Sequence, residues 1–244
     1  MAAETGTDQT TPEVDVVICT RNRDASIAAA VASVMANDHP SFRLTIIDQS
    51  TTDATERAVA PLAAADPRIR YRHTTEAGLS RAYNTGIRST TAEILAFTDD
   101  DCLVPTDWLS TIVAAFEAEP DGDLLYGQVL PHDTVEQHLT PWLPISEPEK
   151  LSLSTGFRIF GMGANYAARR RLFTKIGYFD EVLGGGGALR SSQDFDLEYR
   201  ATVEGRPVCS GVVTYVSVKP GAAESVEIPS DVRTAMEAEL TGAG

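Results

Sequence analysis

The sequence predicts an α/β fold, a mostly parallel sheet with helices on both of its faces. Three observations predict it. Short apolar runs rich in β-branched residues, at 14–19, 44–47, 69–72 and 94–97, alternate with stretches of helical period. Strands and helices that alternate at this spacing need crossover connections, which join parallel neighbours. Polar loops follow three of those runs, and the 244 residues, 43% of them hydrophobic, are enough to bury a substantial core.

Taken in order, residues 1–13 are polar and aperiodic and read as a disordered tail. The first strand, 14–19, breaks into a polar turn from Thr20 to Asp24, and a helix follows over 26–35. The second strand, 44–47, runs into Asp48, Gln49 and a Ser/Thr cluster ending at Asp53. An Ala-rich helix then covers 56–65 until Pro67 intervenes. A short third strand at 69–72, a helix over 79–88, a fourth strand at 94–97, an amphipathic helix over 108–119 and a fifth strand at 124–130 continue the pattern. It fails through Pro131, Pro141, Pro144 and Pro148, and so long an irregular segment is usually functional or mobile. Periodicity returns at 161–169, with a short helix at 171–176, a helix starting near 191 and a late strand at 212–218. The glycine run 184–187 cannot hold a fixed backbone cheaply and reads as a linker or a hinge. Residues 219–244 form a tail with one weak helix around 233–240 and no assigned role.

The fourth strand ends in three consecutive carboxylates, Asp99, Asp100 and Asp101. Adjacent acids repel one another, so they are tolerable on an open loop or with a cation among them, and Asp99 and Asp101 have the spacing to face a single ion. The competing reading is a solvated acidic turn leading into the helix near Thr106 and Asp107. Position favours a site, because ligands of open α/β sheets bind outside the carboxyl ends of the strands. The loops at 20–24, 48–53 and 99–101 should all open on that edge. Several acids with a divalent cation suit a substrate that carries phosphates. No glycine-rich turn follows the first strand, and Gly161 and Gly163 lack a third glycine, so neither a dinucleotide fingerprint nor a P-loop is supported.

Composition narrows the partners. A formal charge of −15 argues against nucleic acid and anionic membranes. The sequence has no run of ~18 apolar residues and no basic start before an apolar stretch, which reads as a cytoplasmic protein without a transmembrane segment. Cys19, Cys102 and Cys209 match neither a disulfide framework nor a zinc spacing and read as reduced core residues.

Six segments, in this order, resemble glycosyltransferase family 2. They are Val-Val-Ile-Cys-Thr-Arg-Asn-Arg at 16–23, Ile-Ile-Asp-Gln-Ser-Thr-Thr-Asp at 46–53, Gly-Leu-Ser-Arg-Ala-Tyr-Asn-Thr-Gly at 78–86, Phe-Thr-Asp-Asp-Asp at 97–101, Gly-Ala-Asn-Tyr-Ala-Ala-Arg-Arg at 163–170 and Gln-Asp-Phe-Asp-Leu-Glu-Tyr-Arg at 193–200. The resemblance implies a GT-A fold, with a Rossmann-like sheet and a smaller acceptor-binding portion. It makes 14–218 one domain, with a nucleotide-binding half at 14–130 and an acceptor half at 131–218. It also implies metal-dependent, inverting transfer of a hexose from a UDP, GDP or dTDP sugar to an acceptor hydroxyl, and it leaves a homodimer open.

By the same resemblance Thr20, Arg21, Asn22, Asp48, Gln49, Arg81 and Asp100 would contact the nucleotide. Asp99 and Asp101 match the family's DXD acids, which contact the ribose and hold Mg²⁺ or Mn²⁺. Gly163, Ala164, Asn165 and Gln193 would line the donor sugar and acceptor, and Asp194 matches the catalytic base. Asp194 has a structural alternative, since Ser191 followed by Asp194 fits a capping box. Two positions depart from the pattern. UDP-using members often carry Asp where this chain has Gln49, and a neutral amide that donates and accepts should fit several bases. The late strand from Thr214 to Lys219 offers no metal-binding His. Two other classes compete: a sugar-phosphate nucleotidyltransferase, which would want a glycine-rich basic loop after the first strand, and a non-catalytic nucleotide-sugar binder.

Overall fold

The computed structural model describes residues 13–131, 143–145, 147–151, 160–206 and 208–218. The expected tail up to residue 12, most of the irregular stretch 131–160 and the segment from 219 onward, with its expected helix, lie outside the described residues. Glu13 is placed, its backbone N–H donating to Ser41.

The first half alternates as expected: β1 (Val14–Thr20), α1 (Asp24–Met35), β2 (Phe42–Asp48), α2 (Ala54–Ala65), β3 (Ile69–His73), α3 (Leu79–Arg88) and β4 (Ile94–Asp99). The second half contains β5 (Cys102–Leu103), α4 (Trp108–Ala118), β6 (Leu124–Pro131), β7 (Glu149–Leu151), β8 (Asn165–Arg169), α5 (Arg170–Ile176), α6 (Gln193–Val203) and β9 (Val208–Val218). Among the described residues nine strands share one sheet, ordered β3-β2-β1-β4-β8-β6-β9-β5 with β7 on β9.

The strands β3, β2, β1 and β4 pair in parallel. β8 then lies antiparallel between β4 and β6, which restores the original direction for β6 and for its parallel partner β9. β5 and β7, which the sequence pattern does not announce, run antiparallel to β9. Their two and three residues are too short to show a period, and pairing to β9 defines them.

β1 is buried along its whole length, as a strand covered on both faces must be. Val14, Val16 and Ile18 face the core under α1 and α4, while Val17 and Cys19 face the core under α3, α5 and α6. A carboxylate inside such a strand needs partners. Asp15 has them, because its Oδ2 accepts from the Thr91 and Ala92 N–H groups at 2.7 and 2.8 Å. At the head of β6, buried Asp123 takes hydrogen bonds from Arg171 and Arg206 and so ties α5 and the entry to β9 to the sheet. Among the described residues no helix is long and apolar enough to cross a membrane.

Candidate active site

Register places three loop ends at one level. Thr20 pairs with Asp48 and Cys19 with Asp99, so the loops after β1, β2 and β4 leave the same edge of the sheet. The first two loops are clasped together. Asn22 adopts a left-handed φ of 57°, which Asn tolerates, and its N–H donates to Ser50 Oγ at 2.7 Å. Its Oδ1 accepts from the Thr51 N–H and hydroxyl at 3.0 and 3.2 Å. Asp48 is fully buried, and its carboxylate accepts from Ser50 N–H at 2.7 Å and from the Tyr71 hydroxyl at 2.6 Å. Asp48 therefore shapes the loop from beneath and lines neither cleft described below.

Gln49 is held by its own amide. Nε2 donates to the carbonyls of Glu76 at 2.5 Å and Gly78 at 3.0 Å. The expectation that this amide both donates and accepts toward a base is corrected here, since its donor half is committed to the chain segment ahead of α3.

The acids at the end of β4 are crowded. Burial, reinforced by the charges of Asp101, Asp100 and Asp194, pushes the Asp99 carboxyl up to about 7. Burial also raises Asp100 to about 6, against the opposing pull of the Thr20 hydroxyl and of Arg23. Arg23 Nη1 lies 3.7 Å from Asp101 Oδ2. Asp99, Asp101 and Cys102 can each direct a ligand atom to a point, those atoms lying within 4.8 Å of one another. Two carboxylates suit a hard dication, whereas the Cys102 thiol, held protonated by burial, does not.

A cleft of about 470 Å³ opens over these groups, lined among others by Thr20, Arg21, Arg23, Gln49 and Asp99 to Asp101. A second cleft of about 450 Å³ adjoins it at Arg21 and Gln49 and includes Ser50, Thr51, Tyr71, His73 and Thr75. The far wall of the first is the glycine run. Leu79 N–H donates to the Gly185 carbonyl at 2.7 Å, and the Ser80 hydroxyl donates to the Leu183 carbonyl at 2.7 Å. At Gly186, with φ of 80°, an added Cβ would sit 3.3 Å from the Gly78 backbone. The run is thus a wall docked on the start of α3, and only glycine permits that approach.

Asp194 enters from α6. Ser192 precedes the helix with a left-handed φ of 70° and no side-chain cap bond forms, so the capping-box alternative is absent. Instead Asp194 Oδ2 accepts from Gly163 N–H at 3.2 Å and Oδ1 from Phe195 N–H at 3.0 Å, while Tyr126 donates to the Asp194 carbonyl at 3.3 Å. A Cβ added at Gly163 would lie 3.7 Å from Asp194 Oδ2 and 3.9 Å from both Gln193 Nε2 and the Tyr83 hydroxyl, so these four residues meet at one spot.

The other expected residues lie elsewhere. Ala164 is buried in the core, and Asn165 is buried with its amide bonded to Trp108 Nε1 and to the Gln128 carbonyl, each at 3.0 Å. Arg81 is half-exposed, 3.4 Å from Glu181, and lines neither cleft. The sequence reading missed Cys19, Arg23, Leu79, Gly185 and Gly186 as residues of the first cleft. For Cys19 and Arg23 a signal existed, because they flank the polar turn that holds Thr20 and Arg21; Leu79, Gly185 and Gly186 line it through the docking of the glycine run on α3.

The family model described as glycosyl transferase family 2 matches residues 15–177. Glucosyl-dolichyl phosphate glucuronosyltransferase of Haloferax volcanii is 27% identical over 188 residues, covering 72% of this chain and 58% of that protein. A mannosyltransferase of Pyrobaculum calidifontis, solved in complex with GDP-Man and Mn²⁺, superimposes with a TM-score of 0.66 at 21% identity over 88% of this chain and 59% of its own. TarS of S. aureus in complex with UDP-GlcNAc gives 0.69 at 18% identity over 92% and 64%. The chain thus spans about three fifths of the length of these relatives, and the two superpositions show the shared GT-A fold. With two thirds of its length under the family model, and with that fold, the chain belongs to glycosyl transferase family 2.

Proposed function

We propose that this protein moves a sugar from a nucleotide-sugar donor to an acceptor hydroxyl, using Mg²⁺ or Mn²⁺ and inverting the anomeric carbon. One observation carries the reading: Asp99 and Asp101, whose ligand atoms lie within 4.8 Å of each other, line the same cleft of about 470 Å³ as Thr20, Arg21 and Gln49. The complexes of the neighbours with GDP-Man and Mn²⁺ and with UDP-GlcNAc support the donor class.

In this reading Asp99 and Asp101 would hold the cation, whose charge would offset that of the donor diphosphate before and during its departure. Thr20, Arg21, Asn22, Gln49 and Asp100 bind the nucleotide, with Asp48 shaping their loop and Arg81 reaching the site only if it leaves Glu181. Gly163 and Gln193 lie against the donor sugar and acceptor, and Ala164 and Asn165 hold that turn in place. Asp194 takes the proton of the acceptor hydroxyl as the oxygen bonds to the anomeric carbon and the bond to the diphosphate breaks. The electron pair leaves with the diphosphate. The nucleotide-binding half is 14–130 and the acceptor half 131–218. A cytoplasmic site of action is part of the reading, supported by three buried free cysteines that suit a reducing compartment.

The test is nucleotide release from UDP, GDP and dTDP sugars with an acceptor panel, with Mn²⁺ and then with EDTA, the products followed by mass spectrometry. Release that needs metal and acceptor is expected. Absence of both transfer and diphosphate binding overturns the reading.

A further inference from the structure

The Tyr83 side chain on α3 is buried, only 2% exposed, and its ring is fixed on three sides. It meets Phe97 and Tyr166 edge-on, with centroids 5.6 and 6.1 Å away, and lies tilted on Phe179 at 5.1 Å. Phe179 is itself pinned, because its backbone N–H and carbonyl each bond the amide of Asn84 at 3.0 Å. The ring has no room to swing, so the fold sets the place of its hydroxyl. That hydroxyl lies 3.9 Å from the position a Cβ would take on Gly163, a point that is also 3.7 Å from Asp194 Oδ2 and 3.9 Å from Gln193 Nε2. Glycine leaves the point vacant, and the half-buried Gly163, Gln193 and Asp194 around it open it toward solvent. Among the described residues the Tyr83 hydroxyl has no hydrogen-bond partner, although a buried phenol ordinarily finds one.

Burial, reinforced by the charges of Asp99, Cys19 and Asp194, pushes the phenol up, so it stays an O–H that can donate. Two of those groups mark the ends of the donor sugar: its anomeric phosphate at Asp99 and Asp101, and its anomeric carbon before Asp194. The sugar then lies across the gap that Tyr83 floors. We propose that the Tyr83 hydroxyl donates a hydrogen bond to an oxygen of the donor sugar, beside the Gln193 amide, and is thus a sugar-binding group of this site. Without the sugar the hydroxyl is unsatisfied, and the packed ring cannot turn it toward another partner. A group held in its bound position loses little freedom when the ligand arrives. The proposal rests on the donor reading given under Proposed function.

The experiment is calorimetry in the presence of Mn²⁺ on three pairs: UDP and UDP-glucose, GDP and GDP-mannose, dTDP and dTDP-glucose. The pair used is the one whose sugar nucleotide the parent protein holds most tightly. Tyr83→Phe keeps the ring and its packing and removes only the oxygen. It should weaken binding of the sugar nucleotide by about three- to tenfold, the order of one hydrogen bond, and leave the diphosphate alone within about twofold. A hydroxyl that only fills the core would move neither ligand, or both together. Gly163→Ala places a methyl at the vacant point while meeting its neighbours at ordinary contact distance, so the fold should hold and the sugar nucleotide should again lose about threefold or more. A loss of less than about threefold in Tyr83→Phe, or one shared equally by the diphosphate, overturns the proposal. If Tyr83→Phe does not fold, an unchanged ratio in Gly163→Ala overturns it. If no sugar nucleotide binds the parent with metal present, the donor reading fails and this one with it.

Discussion

Gly163 donates its backbone N–H to Asp194 Oδ2 at 3.2 Å, joining the turn before β8 to the first turn of α6. This bond fixes one carboxylate oxygen with a group that cannot rotate away. Removing the charge while keeping the acceptor is therefore a clean substitution. Asp194→Asn should lower the transfer rate by about 10²–10⁴-fold, the usual cost of a lost general base. Melting temperature and nucleotide affinity should barely move. A variant that transfers within a few-fold of the parent and melts several degrees lower would show that Asp194 is structural.

Donor binding should need a dication, because two phosphate charges cannot approach three carboxylates unaided. Titration of a nucleoside diphosphate with Mn²⁺ and with EDTA checks this, and equal affinity in the two would refute it. Asp101→Asn should weaken metal binding and leave the fold intact, since the one ion pair described for Asp101 is the long contact with Arg23 at 3.7 Å.

Asp99 at about 7 and Asp100 at about 6 both lie above the 3.8 of the same carboxyl in an open chain. Across that window the folded chain holds more protons than the unfolded one. Their contribution to stability is therefore full below about pH 4 and lost as pH rises through about 6 to 7. In EDTA the melting temperature should fall from about pH 5 to about pH 8 if these two groups dominate. Mn²⁺, which binds the deprotonated acids, should stabilise more strongly as pH rises through the same range. A melting temperature that climbs across it in EDTA contradicts the assignment.

At Gly86 two effects oppose each other. Alanine inside a helix is ordinarily worth about 1 kcal/mol over glycine. Here an added Cβ would lie 2.5 Å from Val17 Cγ1, on a strand pinned by neighbours on both sides. Overpacking costs ~1–3 kcal/mol, so the clash should win and Gly86→Ala should destabilise by roughly 1–2 kcal/mol. Pairing it with Val17→Ala should give a double variant more stable than the two losses added together. Denaturant unfolding measures both, and a gain from Gly86→Ala alone refutes the argument.

Much of the fold could be read from the chain because its signals are local. Val14 to Thr20 is a β-branched run buried on both faces, α3 spans the residues expected for it, and the three acids lie at the end of a strand, Asp99 as its last residue. Parallel order then obliges the loops at Thr20, Asp48 and Asp99 to share an edge, so part of the cleft followed from periodicity and connectivity.

The tertiary structure alone decided the rest, because those features depend on groups far apart in sequence. Insertion of β8 between β4 and β6 is a matter of pairing that no local pattern encodes. The Ser191-to-Asp194 spacing suited a cap, yet a left-handed Ser192 and the Gly163 N–H turned the carboxylate to another use. Asn165 and Asp48 look like ligand-binding residues in a string of letters, but burial obliges their polar atoms to bond within the protein. In Gln49 the sequence supplies an amide with two faces; the Glu76 and Gly78 carbonyls, 27 and 29 residues away, engage the donor face and leave the acceptor.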